Sequence, residues 1–172
     1  SDYVQMYRFN SLMFIIQLSK KPNHLQALFS SSKVVDYFLQ YSLFEEDNCT
    51  LVIELIKLAI ESSNINNNIS VSSESENTVN NITTSLIKTI ETCTNSISKN
   101  AVVNDTKDQP FDYASYCLQL LHNILVMIGE CLQTKMPAFS QSLINHNFPL
   151  FLCQIPNKII PIDNQLKLDI IN

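Results

Sequence analysis

The residues best equipped for chemistry are three histidines, His24, His122 and His146, and five cysteines, Cys49, Cys93, Cys117, Cys131 and Cys153. A structural zinc site needs four Cys or His ligands, two of them usually close together in sequence. No Cys-x-x-Cys occurs, and no histidine stands at ligand spacing from another or from a cysteine. No metal is therefore expected. A nucleophilic cysteine needs a base and an oxyanion-stabilising loop. Cys153 and His146 could form such a dyad, but no loop of that kind accompanies them. Cys117, Cys131 and His122 fall in one long apolar segment, where packed core roles are expected. The acidic run Glu45-Glu46-Asp47 lacks the glycine and alternating oxygen ligands of a calcium loop, so it reads as a solvated turn. The single glycine, Gly129, excludes phosphate-cradling loops, dinucleotide turns and nucleophile elbows. No catalytic constellation and no cofactor site emerge, and the chain is not expected to be an enzyme.

Composition narrows the partners. Lys plus Arg is 11, Asp plus Glu is 16 and the net charge is −5; Arg8 is the sole arginine. Phosphate binding runs on clustered cations, and Lys20-Lys21 is the only adjacent basic pair, so no nucleic acid is expected. No uninterrupted apolar run reaches the length that spans a bilayer, and residues 1–3 lack the pattern of a secretory leader. Five widely spaced cysteines suit a reducing, cytoplasmic setting.

The elements that must carry these residues are helical. Apolar residues recur at spacings of three and four over 2–20, 24–30, 33–43, 50–62, 81–99, 113–134, 137–144 and 148–155, with a last turn expected at 163–171. The segments 2–20, 50–62 and 113–134 are apolar nearly all round, which implies burial on more than one side. Pro22 and Pro137 open short helices, Ser32 is placed as a cap, and Asn145-His146-Asn147 makes a tight turn in which Asn tolerates left-handed backbone angles. The stretches 63–80 and 100–112 hold few large apolar side chains and are expected as flexible low-complexity loops.

One order of elements occurs twice. Lys21-Pro22, Leu28-Phe29, Phe38-Leu39 and Leu51 are matched by Met136-Pro137, Leu143-Ile144, Phe151-Leu152 and Leu166, at an offset of 113 to 115 residues. That length suits two or three helical repeats. The segment 138–155, a short helix, a polar turn, the apolar-Pro pair Phe148-Pro149 and a Leu-rich second helix, resembles the first-to-second helix junction of an armadillo (ARM/HEAT) repeat. Residues 25–43 resemble the same junction without its proline, and 12–20 and 51–61 look like third helices.

The resemblance implies an all-α, armadillo-like right-handed solenoid of about three degenerate repeats. One domain, 1–172, would be a fragment of a longer array. It also implies a protein or peptide partner bound along a groove without catalysis. In cargo adaptors of this family the groove carries Trp and Asn ladders on third helices. This chain has no Trp, and the ladder-Asn positions fall on Gln17, Lys57 and Glu130. The expected function is a scaffold or regulatory adaptor. The alternatives are a structural helical domain within a larger enzyme or ligase, or a GTPase-binding regulatory armadillo domain. Lys20, Glu54, Glu61, His122, Asn123 and Gln133 complete the polar positions expected on that face.

Overall fold

In a computed structural model, the structure describes residues 2–18, 21–44, 46–65, 73–103, 113–134 and 136–159. Every regular element among them is α-helical. The helices are α1 (Asp2–Leu18), α2 (Pro22–Phe29), α3 (Ser32–Phe44), α4 (Glu46–Ile65), α5 (Ser73–Val103), α6 (Tyr113–Gln133), α7 (Pro137–Asn145) and α8 (Phe148–Ile159). The expected helix at 163–171 lies outside the described residues.

Local chemistry accounts for the boundaries. Pro22 and Pro137 occupy first turns, where a missing N–H costs nothing because that donor has no intrahelical acceptor. At the end of α7 the chain reverses through Asn147, whose φ of 53° is left-handed, and the Asn147 N–H closes on the Ile144 carbonyl at 3.0 Å. Helix α3 begins one residue earlier than the cap expected at Ser32. The Ser31 carbonyl accepts from Val35 N–H at 3.3 Å, and Ser32 is already helical. Pro156 is accommodated inside α8, near its end.

Three expectations fail. Residues 46–48 of the expected acidic turn are helical, because α4 starts at Glu46. The loop expected over 63–80 is shortened from both sides, by α4 through Ile65 and by α5 from Ser73, with Thr78 and Val79 fully enclosed. The loop expected over 100–112 gives up its first residues to α5, which runs to Val103. The remainders, 66–72 and 104–112, lie outside the described residues.

Helix α5 is the centre of the packing, lying against α2, α3, α4, α6, α7 and α8. One side buries Ile82, Leu86, Ile90, Cys93 and Ile97, as its periodicity predicts. Its polar side is also buried. Thr83, Thr89 and Thr94 are enclosed, and each hydroxyl donates to the carbonyl four residues back, at 2.9, 2.8 and 2.8 Å. A hydroxyl satisfied on its own helix turns its methyl group to the neighbours and packs much as Val does. Other α5 side chains reach outward. Asn81 Nδ2 donates to the Ser30 carbonyl at the end of α2 (2.8 Å), and Ser98 Oγ to the Lys158 carbonyl near the end of α8 (2.7 Å). Ser85 Oγ and Lys88 Nζ both donate to the Asp36 carboxylate of α3, at 2.7 and 3.2 Å.

Around this helix the others stack in rows. Helix α4 lies between α1 and α6; α3 lies beside α5, and α5 beside α8. The two rows enclose one continuous core in which Phe29, Phe139, Leu55, Ile56, Ile60 and Ile124 are sealed from solvent. Helix α6 has the length and composition to cross a membrane, yet its Leu120, Ile124, Ile128 and Cys131 are buried in this core.

Candidate functional site

The face singled out by the sequence is the outward side of the α1–α4–α6 row. Lys57 stands in the middle of α4 and Glu130 near the end of α6. Their side chains meet across the helix boundary, Lys57 Nζ donating to Glu130 Oε2 at 2.9 Å. The hydrogen bond and charge of Glu130 hold the Lys57 ammonium above its ordinary range, and Glu61, one turn further along α4, adds to the effect. Both members of the pair reach solvent. Cys131 lies beneath them, sealed from water, its thiol pushed up to about 11 by burial; Glu61 and Glu130 add to this while Lys57 opposes it. So protonated a thiol is a packing group and a poor nucleophile.

Gln17 is not part of this pair. It is exposed near the end of α1, and no hydrogen bond joins it to Lys57 or Glu130. Glu54 and Gln133 are exposed as expected. Asn123 accepts from Gln119 Nε2 at 2.9 Å on the surface of α6. Lys20 lies outside the described residues. His122, read both as a packed histidine and as one of the polar positions of that face, is exposed, and so is Leu132 on the same helix. Between His122 and Glu130 the α6 surface also presents Val126 and Gly129. A β-carbon built on Gly129 would meet nothing within 4 Å.

The remaining chemistry-bearing groups serve packing. His146 Nδ1–H donates to the Ser142 carbonyl at 2.8 Å, and its Nε2 faces the Thr84 hydroxyl at 3.2 Å. Ser142 Oγ donates to Asn80 Oδ1 at 2.7 Å and lies 2.9 Å from Thr83 Oγ1. This network ties α7 to α5 and engages both ring nitrogens of His146 without Cys153, which is exposed on α8. Among the described residues no cysteine forms a disulfide, and four of the five are buried. Cys93 of α5, hydrogen-bonded to Cys117 of α6 and buried, is held far above the usual thiol range. Among the described residues no three His, Cys, Asp or Glu side chains gather to hold a metal ion.

These features define an all-α protein whose helices pack in a helical-repeat-like arrangement, with a polar pair bridging two helices of one row. No protein-family model matches the chain, no curated protein matches it, and no solved structure matches its fold.

Proposed function

We propose that the protein is a non-catalytic interaction scaffold or regulatory adaptor. In this reading it is an armadillo-like right-handed solenoid of about three degenerate repeats, binding a protein or peptide along the outward face of the α1–α4–α6 row. The observation that carries the reading is the neighbour pattern. Helix α1 takes the place of a third helix, α2, α3 and α4 of a full repeat, α5 and α6 of a repeat without its first helix, and α7 and α8 of the start of the next. Equivalent helices are then neighbours, α1 with α4 and α4 with α6, α3 with α5 and α5 with α8. Stacked equivalents make an extended surface suited to an elongated partner.

The Lys57–Glu130 pair supports partner binding on energetic grounds. An ion pair open to water contributes little to stability, so a partner carboxylate or ammonium can replace either member at small cost. The reading includes a cytoplasmic location, supported by cysteines that form no disulfide among the described residues, and a partner that is not nucleic acid, supported by the sequence having no basic cluster.

Affinity capture from cytosol tests it, using the native chain, Lys57→Glu, Glu130→Lys and the double exchange. Each single swap is expected to weaken capture of the same protein. The double exchange restores the internal ion pair with reversed polarity, so it is expected to recover stability without recovering capture. Capture unaltered by all three variants would remove the proposed face.

A further inference from the structure

Helix α1 spreads its apolar residues round the helix rather than along one side, yet the fold buries only one side. Leu12 is enclosed, with Ile15 and Ile16 packed beside it, along the side facing α4. The opposite side is open. Tyr3 is 80% exposed, Tyr7 74% and Phe14 64%. With Asn10 and Gln17 these residues follow a 4-3-4-3 spacing, which draws one straight stripe along a helix, as in a coiled-coil seam. Leu18 flanks its end, and no charged residue falls on the stripe.

We propose that this stripe is a self-association surface, and that its occupant is α1 of a second copy, antiparallel across a two-fold axis. Area supports a copy-sized contact. At about 200 Å² per aromatic side chain the three rings expose roughly 450 Å², the size of the largest apolar patch of a typical monomer, which is often a functional one. Asn10, Gln17 and Leu18 extend it toward the ~800 Å² per partner of a stable complex. Charge supports a like partner, because each chain carries −5 overall but none of it lies on the stripe, so two copies meet there without repulsion. Spacing supports the antiparallel direction. Asn10 sits at the middle of Tyr3–Leu18, so a two-fold axis through it pairs Asn10 with the partner's Asn10, and Tyr3 with the partner's Gln17 and Leu18. Asn carries both donor and acceptor on one amide and can therefore pair with its own copy. A single buried Asn of this kind fixes the alignment of helix pairs. The proposal does not depend on the adaptor reading, since it uses only α1 and its packing on α4.

Light scattering of the 172-residue chain after size exclusion, from low to high micromolar, is the direct test. The expected mass is that of two 19.6 kDa chains. Tyr7→Glu and Phe14→Glu are each expected to give monomers with an unchanged helical circular-dichroism signal and thermal midpoint, since both side chains are largely exposed. A second measurement tests direction: in a Cys153→Ser background treated with a mild oxidant, Asn10→Cys is expected to give a disulfide-linked dimer on a non-reducing gel, whereas Tyr3→Cys, whose two copies lie at opposite ends of an antiparallel pair, is not. A monomer at every concentration, or a dimer that survives both glutamate substitutions, overturns the proposal. A dimer that Asn10→Cys fails to crosslink, or that Tyr3→Cys crosslinks, overturns the antiparallel alignment.

Discussion

Replacing Gly129 with Ala isolates a single physical effect. Gly129 sits inside α6, between the buried Ile128 and the solvent-facing Glu130, with no requirement for a positive φ and nothing within 4 Å of its missing β-carbon. The added methyl therefore meets no steric resistance. Gly in a helix interior is about 0.8–1.0 kcal/mol less favourable than Ala, mainly because its unfolded backbone has more freedom to lose. With no clash to subtract, Gly129→Ala is expected to stabilise the protein by about 0.5–1 kcal/mol. For a chain of this size that is a rise of about 1–4 °C in the thermal midpoint. Urea unfolding followed by circular dichroism reads it directly: the midpoint moves up while the slope stays fixed, because the exposed area does not change. A lower midpoint would mean that α6 is not a regular helix at this position, or that the space beside it is filled. The variant also probes the proposed face, where Gly129 adjoins Glu130. A partner backbone seated there would bind Gly129→Ala less tightly although the protein itself is more stable.

Three further outcomes are expected. Alkaline conditions should destabilise the fold: the Cys93 and Cys131 thiols keep their protons when folded but lose them when unfolded above their ordinary value of 9.0, so the unfolded state binds fewer protons and stability falls as pH rises, at about 1.4 kcal/mol per pH unit for each thiol. Lys57 acts in the same direction at higher pH, its contribution being complete below 10.5 and lost as pH climbs through its raised folded value; urea midpoints that stay level between pH 8 and pH 10.5 would contradict the statement about the thiols. Asn81→Ala removes the amide that satisfies the last carbonyls of α2 and should cost about 0.5–1.5 kcal/mol by chemical denaturation, with faster hydrogen exchange concentrated in α2. Thr94→Val, by contrast, should change stability by less than about 1 kcal/mol, because the hydroxyl bonds only its own helix and the shape is kept; a large loss would show that this hydroxyl holds something beyond the Ile90 carbonyl.

The helices were legible in the sequence wherever apolar spacing and a boundary residue agreed. Pro22 and Pro137 marked two starts, and Asn145-His146-Asn147 marked the turn that the φ of Asn147 realises. Helix α5 was legible only along Ile82–Ile97. Its buried Thr and Ser side looks solvated in sequence, because periodicity counts a hydroxyl as polar even when it is satisfied four residues back. The same weakness shortened the helix at both ends. Helix α1 misled in the opposite direction: a helix apolar all round reads as enclosed whether or not a neighbour covers its second side. At the candidate site, Lys57 and Glu130 could each be placed on a third-helix face. Their ion pair could not be foreseen, since 73 residues separate them and neither lies in a pattern that names the other.

Asn81 and Ser98 give α5 the property of a ruler. They hold the ends of α2 and α8 from points 17 residues apart on one rod, about 25 Å at 1.5 Å per residue. Inserting or deleting one residue between them would swing one anchor by about 100° around the axis, a consequence of 3.6 residues per turn, and would release one outer helix while leaving the other held. Length changes inside that span should therefore be far more damaging than substitutions of single exposed residues along it, such as Glu91 or Asn95.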